Sequence, residues 1–358
     1  MRRMGTVMAR GVRSGRVFRG LLFLGAAGLV LAGSVISGCG SLSVEEVKAQ
    51  TLALPKNAPL LEGLRTGRLA GTDEPWIASF LPAASPGAPS VVDGAGVAGG
   101  GRGPLVFVHG TPDGMGAWSG VLFGEEGLAG EEDIYTVEVV GHGMLGVDGG
   151  EVTFQRCADH VAGTIRALGL QGVTLVGNSY GGEFCWRAAL DHPDLISKLV
   201  LIDSSGLPRT REQFLSEEIK MREWSVARLG YLVNSEPRVA SALDPHFEGG
   251  ADPERVKEVF LGLENRGNWN AMIDLVRDEN GARAGELSGM KAPTLLLWGE
   301  LDQAYPPDTF GATFAERIPA ARLVVIPGAG HYPHEQTPAL VAEAIRTFHR
   351  QGLASVGR

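Results

Sequence analysis

The sequence predicts an α/β protein with a mostly parallel eight-stranded sheet flanked by helices and a helical cap inserted after the sixth strand. From residue 105 onward, short runs of aliphatic and β-branched residues alternate with segments of helical periodicity, which is typical of a parallel sheet covered on both faces. Residues 207–290 interrupt this alternation with a charge-rich helical pattern. That stretch is too long to connect two adjacent strands, so we expect a separate cap over the sheet.

The composition is that of a globular enzyme and excludes several other classes. Hydrophobic residues make up 44% of the 358 residues and charged residues 20%. The first 38 residues contain six arginines and no acid, so the net charge moves from −9 to −15 without them. No basic stripe remains that could neutralise phosphates, so nucleic acid is not an expected partner. The three cysteines lack metal-ligand spacing, and we expect no metal site.

Residues 1–38 have the layout of a signal peptide, because six arginines precede an apolar stretch from Leu21 to Ile36. The stretch ends in Ile36-Ser37-Gly38-Cys39, which resembles the lipobox of bacterial lipoproteins and implies cleavage before Cys39 and acylation of its thiol. The uncharged stretch from Gly20 to Val44 is also long enough for an uncleaved membrane anchor.

Both alternatives predict an exported protein held at a membrane. Gly40 follows the cysteine in place of an aspartate, so the lipoprotein resemblance implies the outer membrane if the host has two. Residues 39–59 are expected to form a tether between the lipid and the folded core. The oligomeric state is left open.

The first part of the predicted core covers residues 60–206. It opens with an antiparallel pair at the sheet edge that includes Trp76 to Phe80, and a Pro-, Ala-, Gly- and Ser-rich surface loop at 81–104 follows. The later elements alternate between strand and helix. They are the strands Leu105–Val108, Tyr135–Val140, Val173–Val176 and Leu199–Ile202, a helix from Phe154 to Leu168, and a helix at 181–192.

The predicted cap at 207–290 contains a helix from Glu212 to Leu229 and a second helix capped by Asp252 and Pro253. The second part of the core, 291–358, contains the strands Thr294–Trp298 and Arg322–Ile326 with a helix near 307–317 between them. The last helix has Thr337 as N-cap and Pro338 at its first position. It is expected to bury Leu340, Val341, Ile345 and Phe348.

The pentapeptide Gly177-Asn178-Ser179-Tyr180-Gly181 follows a hydrophobic strand and opens a helix, the setting in which Gly-x-Ser-x-Gly presents a nucleophilic serine. A serine needs a base within hydrogen-bond reach and an acid that orients the base. His331 and Asp302 each follow a later strand, and parallel strand ends meet at one sheet edge. Asp308 and Asp203 remain alternative acids.

These motifs resemble the α/β-hydrolase superfamily over residues 60–350. The motifs that carry the resemblance are His109-Gly110-Thr111-Pro112, the turn at 177–181, Trp298 to Asp302, and Gly330-His331. The resemblance implies the α/β-hydrolase fold, a Ser179–His331–Asp302 triad, and an oxyanion hole made by the backbone N–H groups of Thr111 and Tyr180.

One motif departs from the family. Residues Glu138 to Gly143 lack the aspartate and the proline of the family's D-x-P-G-H-G run, which puts the edge of the pocket in doubt. Epoxide hydrolases and haloalkane dehalogenases share the other motifs but use an aspartate nucleophile, and Ser179 argues against both.

The expected activity is hydrolysis of a carboxylic ester or related small-molecule acyl substrate, without metal or organic cofactor. The alternatives are a carbon–carbon bond, peptide or thioester hydrolase of the same fold, or a binding lipoprotein without turnover. Four aromatic residues are candidates for the substrate pocket or, alternatively, the core: Trp118, Trp224, Trp269 and Tyr332. Cys157 and Cys185 are expected to be buried, although an exported protein could pair them.

Overall fold

The computed structural model describes residues 41–84, 103–147, 149–247 and 250–356, which belong to one compact unit. The predicted signal peptide, Cys39 and most of the predicted loop at 81–104 lie outside these residues. Within the described part of the chain, every helix is too short or too polar to span a bilayer.

Eight strands form one sheet, as the sequence predicts, in the order β1-β2-β4-β3-β5-β6-β7-β8. The strands are β1 Leu64–Arg68, β2 Pro75–Leu81, β3 Leu105–Val108, β4 Ile134–Glu138, β5 Val173–Asn178, β6 Ile196–Ile202, β7 Thr294–Gly299 and β8 Ala321–Ile326. Strand β2 pairs antiparallel with both β1 and β4, and all other pairs are parallel. The carboxyl ends of β3 to β8 therefore share one edge of the sheet.

Helices cover both faces of the sheet and form the cap. The α-helices are α1 Val44–Leu52, α2 Ala58–Leu61, α3 Ser119–Phe123, α4 Phe154–Ala167, α5 Tyr180–Asp191, α6 Ser216–Glu223, α7 Glu236–Leu243, α8 Pro253–Glu264, α9 Arg266–Asp278, α10 Ala312–Arg317, α11 Pro333–Gln336 and α12 Pro338–Gln351. Shorter 3₁₀ or π segments are Pro55–Asn57, Met115–Trp118, Arg211–Gln213, Ala227–Val233, Asp244–His246, Ala284–Gly289, Pro307–Gly311 and Leu353–Ser355.

The sheet separates two apolar clusters. One holds Phe154 of α4 and Phe184 of α5, and the other holds Trp118 and Phe348 of α12. Strands β3, β4, β5 and β7 are buried at every residue because helices cover both faces. This packing explains why their sequences are almost continuously apolar.

The cap consists of α6 to α9 and lies between β6 and β7 in the chain. Its predicted first helix, Glu212 to Leu229, is divided into Arg211–Gln213, α6 and Ala227–Val233. The predicted helix is interrupted because the end of α6 has hydrogen-bond partners outside the helix. Arg277 donates to the carbonyl oxygens of Met221 and Trp224 at 3.0 and 3.1 Å.

Helix α8 begins as predicted. The Asp252 side chain accepts from the amides of Glu254 and Arg255 at 2.7 and 3.3 Å. Val239 and Leu243 of α7 pack with Val259 of α8 in a small apolar cluster that belongs to the cap itself. The cap thus has some packing independent of the sheet.

The structure differs from the sequence prediction near both ends of the described chain. Most of the predicted tether is folded: Ser43 caps α1, which buries Val47 and packs against α8. At the other end, the Thr337 hydroxyl donates to the Pro333 carbonyl at 3.0 Å and makes no N-cap bond to α12. Leu340 is 54% exposed because the buried stripe of α12 follows the i, i+4, i+7 positions from residue 341.

Candidate active site

Ser179 sits in a strained turn between β5 and α5. Its φ angle is +54°, in the region that non-glycine residues rarely adopt. The two flanking glycines are required for space: a Cβ on Gly177 would lie 2.4 Å from the Gly181 carbonyl oxygen, and one on Gly181 would lie 2.3 Å from that of His109. The turn therefore needs the Gly-x-Ser-x-Gly pattern at these positions.

A hydrogen-bond chain joins Ser179, His331 and Asp302. The Nε2 atom of His331 lies 3.0 Å from Ser179 Oγ, and its Nδ1 atom lies 2.9 Å from Asp302 Oδ2. The other oxygen of Asp302 accepts from the amides of Ala304 and Tyr305 at 2.8 and 3.2 Å, so the carboxylate is fixed on both sides. Each of the three side chains follows the carboxyl end of a parallel strand.

The electrostatics of the chain favour an imidazole ring that takes up a proton readily. Burial alone would lower the pKa of His331, but the adjacent Asp302 carboxylate raises it above its ordinary value. Burial would likewise raise the pKa of Asp302, and the contact with His331 lowers it. Asp302 is therefore ionised and holds the Nδ1–H of His331.

Asp203, one of the two alternative acids, lies beside the chain rather than in it. One of its oxygens accepts from the Gly299 amide at 2.9 Å, and its φ angle is +45°. Burial and the negative charge on Asp302 raise the pKa of Asp203 well above its ordinary value. It is therefore protonated. The other alternative, Asp308, is exposed in the segment Pro307–Gly311.

The same place holds a group of possible metal ligands. Among the described residues, the ligand atoms of Asp203, Asp302 and His331 lie within 4.8 Å of one another, close enough to hold a metal ion. Both ring nitrogens of His331 already have hydrogen-bond partners in Asp302 and Ser179. The proton on Asp203 would also have to leave before a cation could bind. These contacts favour the hydrogen-bonded arrangement.

The loop from His109 to Pro112 lies directly against the nucleophile turn. A Cβ on Gly110 would lie 3.2 Å from the Cβ of Ser179, so the glycine lets the loop backbone approach the serine. The His109 ring supports this loop: its Nδ1 donates to the Gly110 carbonyl at 2.8 Å and its Nε2 accepts from the Val139 amide at 3.2 Å.

The two residues predicted for an oxyanion hole both border this turn. Tyr180 is the first residue of α5, so its N–H has no acceptor within the helix. The hydroxyl of Thr111 donates to Nε2 of His142 at 2.5 Å. Burial lowers the pKa of His142 to about 3, and the neutral ring donates from Nδ1 to the Val140 carbonyl at 3.0 Å. Thr111 is thereby held in place.

A buried arginine of the cap connects two loops of the site, and no motif in the sequence indicated it. Arg255 of α8 donates to Asp113, just after the His109–Pro112 loop, at 2.6 Å. It also donates to both oxygens of Glu335, four residues after His331, at 3.0 and 2.9 Å. The cap therefore helps to fix both loops.

A second buried polar cluster lies next to the His331 ring. The hydroxyls of Tyr180 and Tyr305 each donate to Glu279 at 2.9 Å. Arg209 of the cap donates to Glu279 at 3.2 Å and to Glu218 at 2.8 and 2.9 Å. The Tyr305 and His331 ring centroids are 5.5 Å apart, so this cluster forms part of the wall around the site.

The four aromatic residues predicted for the pocket lie in different surroundings. Tyr332 is next to His331, with ring centroids 4.9 Å apart. Trp118 is fully buried in the core and has no surface left for a substrate, which corrects that prediction. Trp224 is 53% exposed on the cap, and Trp269 is half-buried in α9. Aromatic character alone did not distinguish these environments.

Cys157 and Cys185 are both free and buried. Burial raises the pKa of both thiols well above the ordinary value, so both stay protonated and behave as small apolar side chains. The disulfide that an exported protein would permit is not formed between them.

Comparisons with known proteins identify the family and similar folds. The profile described as the Alpha/beta hydrolase family matches residues 105–344, more than half of the chain. The chain is 28% identical over 257 residues to the 2-(acetamidomethylene)succinate hydrolase of Mesorhizobium japonicum, covering 69% of this chain and 88% of that protein. It is 29% identical over 204 residues to an uncharacterized hydrolase of Bacillus subtilis, covering 55% and 72%.

Among solved structures, a thermophilic esterase from Thermogutta terrifontis is similar with a TM-score of 0.62 and 25% sequence identity. The similarity covers 81% of this chain and 98% of that one. The similarity therefore extends over nearly the whole length of that esterase.

Proposed function

The chain belongs to the alpha/beta hydrolase family, and from this premise we propose that it is a serine hydrolase that cleaves a carboxylic ester or related acyl substrate. The observation that carries the proposal is the hydrogen-bond chain from Ser179 through His331 to Asp302. The esterase with a similar fold supports ester chemistry.

In the proposed reaction, Nε2 of His331 accepts the hydroxyl proton of Ser179 while Oγ bonds to the carbonyl carbon. The backbone N–H groups of Thr111 and Tyr180 hold the oxyanion, and Asp302 keeps the imidazole oriented. His331 then gives the proton to the leaving group as the carbon–oxygen bond breaks. Water repeats the two steps on the acyl-enzyme and releases the acid.

The charges around the site favour an acyl group without its own carboxylate. Two buried arginines lie near the rings beside His331, and each is occupied by two carboxylates: Arg209 by Glu218 and Glu279, and Arg255 by Asp113 and Glu335. A substrate carboxylate would have to displace one of these buried partners. The substrate expected here therefore has no carboxylate near these arginines, unlike the succinate in the name of the Mesorhizobium relative.

The proposal also places the enzyme outside the cytoplasm, attached to a membrane by a lipid on Cys39. It is supported by Ile36-Ser37-Gly38-Cys39 after an apolar stretch. Intact-mass measurement on membrane-extracted protein tests it. We expect a chain that starts at Cys39 with added acyl mass, and a chain that starts at residue 1 without acyl mass would contradict the lipid.

The central test is hydrolysis of p-nitrophenyl esters of graded acyl length by the purified protein and its Ser179→Ala variant. We expect the variant to lose on the order of 10⁵- to 10⁶-fold in kcat. Ser204→Ala is the matched control, because its hydroxyl is equally buried but donates to the Ser205 carbonyl, and it should keep most activity.

A fluorophosphonate probe separates the remaining alternatives. Labelling of Ser179 without ester hydrolysis would direct attention to carbon–carbon, peptide or thioester substrates. Folded protein that is not labelled at Ser179 would contradict the serine hydrolase and favour a binding lipoprotein.

A further inference from the structure

One segment of the cap exposes an unusual number of apolar side chains. Among the described residues, nine large hydrophobic side chains are more than a third exposed, and five of them fall between residues 224 and 233. We call these five the cap patch: Trp224, Val226, Leu229, Leu232 and Val233, each more than half exposed. Contiguous exposed apolar surface of this kind marks interaction sites in folded proteins.

The geometry of the segment explains why these side chains face outward. In the 3₁₀ helix Ala227–Val233, side chains three residues apart share a face. Val226, Leu229 and Leu232 are therefore aligned on one face, and that face is the exposed one.

Apart from Val233, which is exposed although it follows Ala227 and Gly230 at the same spacing, residues on the other two faces hold the segment on the protein. On one, Trp269 donates to the Ala227 carbonyl at 3.0 Å, and a Cβ on Gly230 would lie 2.3 Å from the Trp269 ring. On the other, Tyr231 lies 5.6 Å from the guanidinium of Arg266 and Asn234 donates to the Glu264 side chain at 3.0 Å. The patch is thus a positioned surface, with its backbone anchored.

The described chain begins beside this segment. The Leu42 amide donates to the Glu264 carbonyl at 3.1 Å, and Ser41 Oγ donates to the same carbonyl at 3.0 Å. Glu264 is the residue that also bonds Asn234 at the end of the patch segment. In the sequence, only Gly40 separates Ser41 from Cys39.

The charge of the segment fits a lipid surface. From Trp224 to Ser235 the only charged residue is Arg228, which pairs with Asp274 of α9, whereas the chain from Cys39 onward has a net charge of −15. A tryptophan beside aliphatic side chains is a combination found where proteins meet the headgroup region of a bilayer. No carboxylate would have to be brought against the membrane by this segment.

We propose that the cap patch is a membrane-contact surface that inserts Trp224 and its aliphatic neighbours into the interface of the bilayer to which the chain is anchored. The proposal goes beyond hydrolysis and does not depend on the role of Ser179. It uses the proposed lipid on Cys39 in one respect, because that lipid defines which side of the protein faces the bilayer. Leu229 and Leu232 would lie deepest in that interface.

Tryptophan fluorescence gives a direct test, because Trp224 is the one of the six tryptophans that is more than half exposed. The full chain is reconstituted into phosphatidylcholine vesicles with or without brominated acyl chains, which quench tryptophans at the interface. We expect quenching of one emission component that is lost in Trp224→Phe. Equal emission with both lipids would overturn the proposal.

Charge variants with a matched control test the surface as a whole. Leu229→Asp combined with Leu232→Asp should reduce the quenching of Trp224 at least about fivefold, because two carboxylates resist entry into the interface. Leu340→Asp changes a leucine that is 54% exposed on α12, outside the patch, and should leave the quenching unchanged. Melting curves of all three proteins confirm that they are folded.

Other occupants of the patch give different results. A concentration-dependent dimer in detergent that the double variant abolishes, without lipid quenching, would show that a second copy covers the patch and would overturn the proposal. Quenching in a preparation that carries no acyl mass would support the patch while contradicting the lipid on Cys39. Acylated protein without quenching would support the lipid and overturn the patch.

Discussion

Strands β3, β4, β5 and β7 are buried at every position, whereas α6 and the 3₁₀ helix Ala227–Val233 of the cap contain no fully buried residue. The second half of the cap resembles the sheet: α8 and α9 each bury seven residues and α8 sends Arg255 into the site. The boundary between well-buried and exposed structure therefore runs through the cap, not between cap and sheet.

This difference indicates a division of work. The carboxyl ends of the strands and helix α8 hold the groups proposed for chemistry. The buried charges of these elements have partners within hydrogen-bond reach. The first half of the cap contacts the site through Glu218 and Arg209 and presents apolar surface outward. Substitutions that contrast the two regions can test this division.

Among the substitutions that contrast the two regions, the largest expected effect is on the acid of the proposed triad. Asp302→Asn keeps the shape of the side chain but can favour the wrong imidazole tautomer, and we expect kcat to fall by about 10⁴-fold. Asp308→Asn, in an exposed turn, should stay near wild type. If Asp203→Asn reduced kcat more than Asp302→Asn, the assignment of the acid would be wrong.

The second effect concerns the attachment of α8 to the site. Arg255→Leu leaves Asp113 and Glu335 without their buried partner, so the free energy of unfolding should fall by about 3 to 5 kcal/mol in urea denaturation. Lys257→Leu on the same helix breaks an exposed pair with Glu236 and should cost less than about 1 kcal/mol. Equal losses in the two variants would contradict the proposed role of Arg255.

The third effect compares two leucines directly. Leu297→Ala in β7 opens a cavity in the core and should lower the free energy of unfolding by about 2 to 5 kcal/mol. Leu232→Ala removes a side chain that is 59% exposed and should change it by no more than about 0.5 kcal/mol. A large loss at Leu232 would mean that the cap patch is buried in the protein as isolated.

The smallest effect is a shift in pH dependence. His331 must be neutral to accept the Ser179 proton, and its pKa is raised by Asp302, so kcat/KM should fall as the pH drops through a value above the ordinary histidine pKa of about 6.5. Removing the Asp302 charge should move this midpoint to lower pH. Glu218→Gln should move it in the same direction by less, because Glu218 is a weaker contributor from the cap.

A midpoint that did not move in Glu218→Gln would show that the first half of the cap has no electrostatic influence on His331. A midpoint that rose in Asp302→Asn would contradict the assigned direction of the His331 pKa.

The sequence predicted the fold and the three residues of the hydrogen-bond chain because both depend on local pattern. Strand β3 begins and ends where its apolar run does, and α8 begins at the cap that Asp252 provides. Local pattern also predicted that three separate strands are followed in turn by Ser179, Asp302 and His331. The sequence did not predict which residues of one type are buried and which are exposed, as with Trp118 and Trp224.

The sequence by itself determined the alternation of strand and helix, the glycine-flanked serine turn and a short set of candidate partners after later strands, because these follow from the conformational preferences of neighbouring residues. Only the tertiary structure decided that Asp302 and not Asp203 meets His331, and that Arg255 contacts Asp113 from 142 residues away. It also decided which face of Ala227–Val233 is exposed. Such outcomes depend on which distant side chains compete for the same buried space and the same protons, and no local pattern encodes that competition.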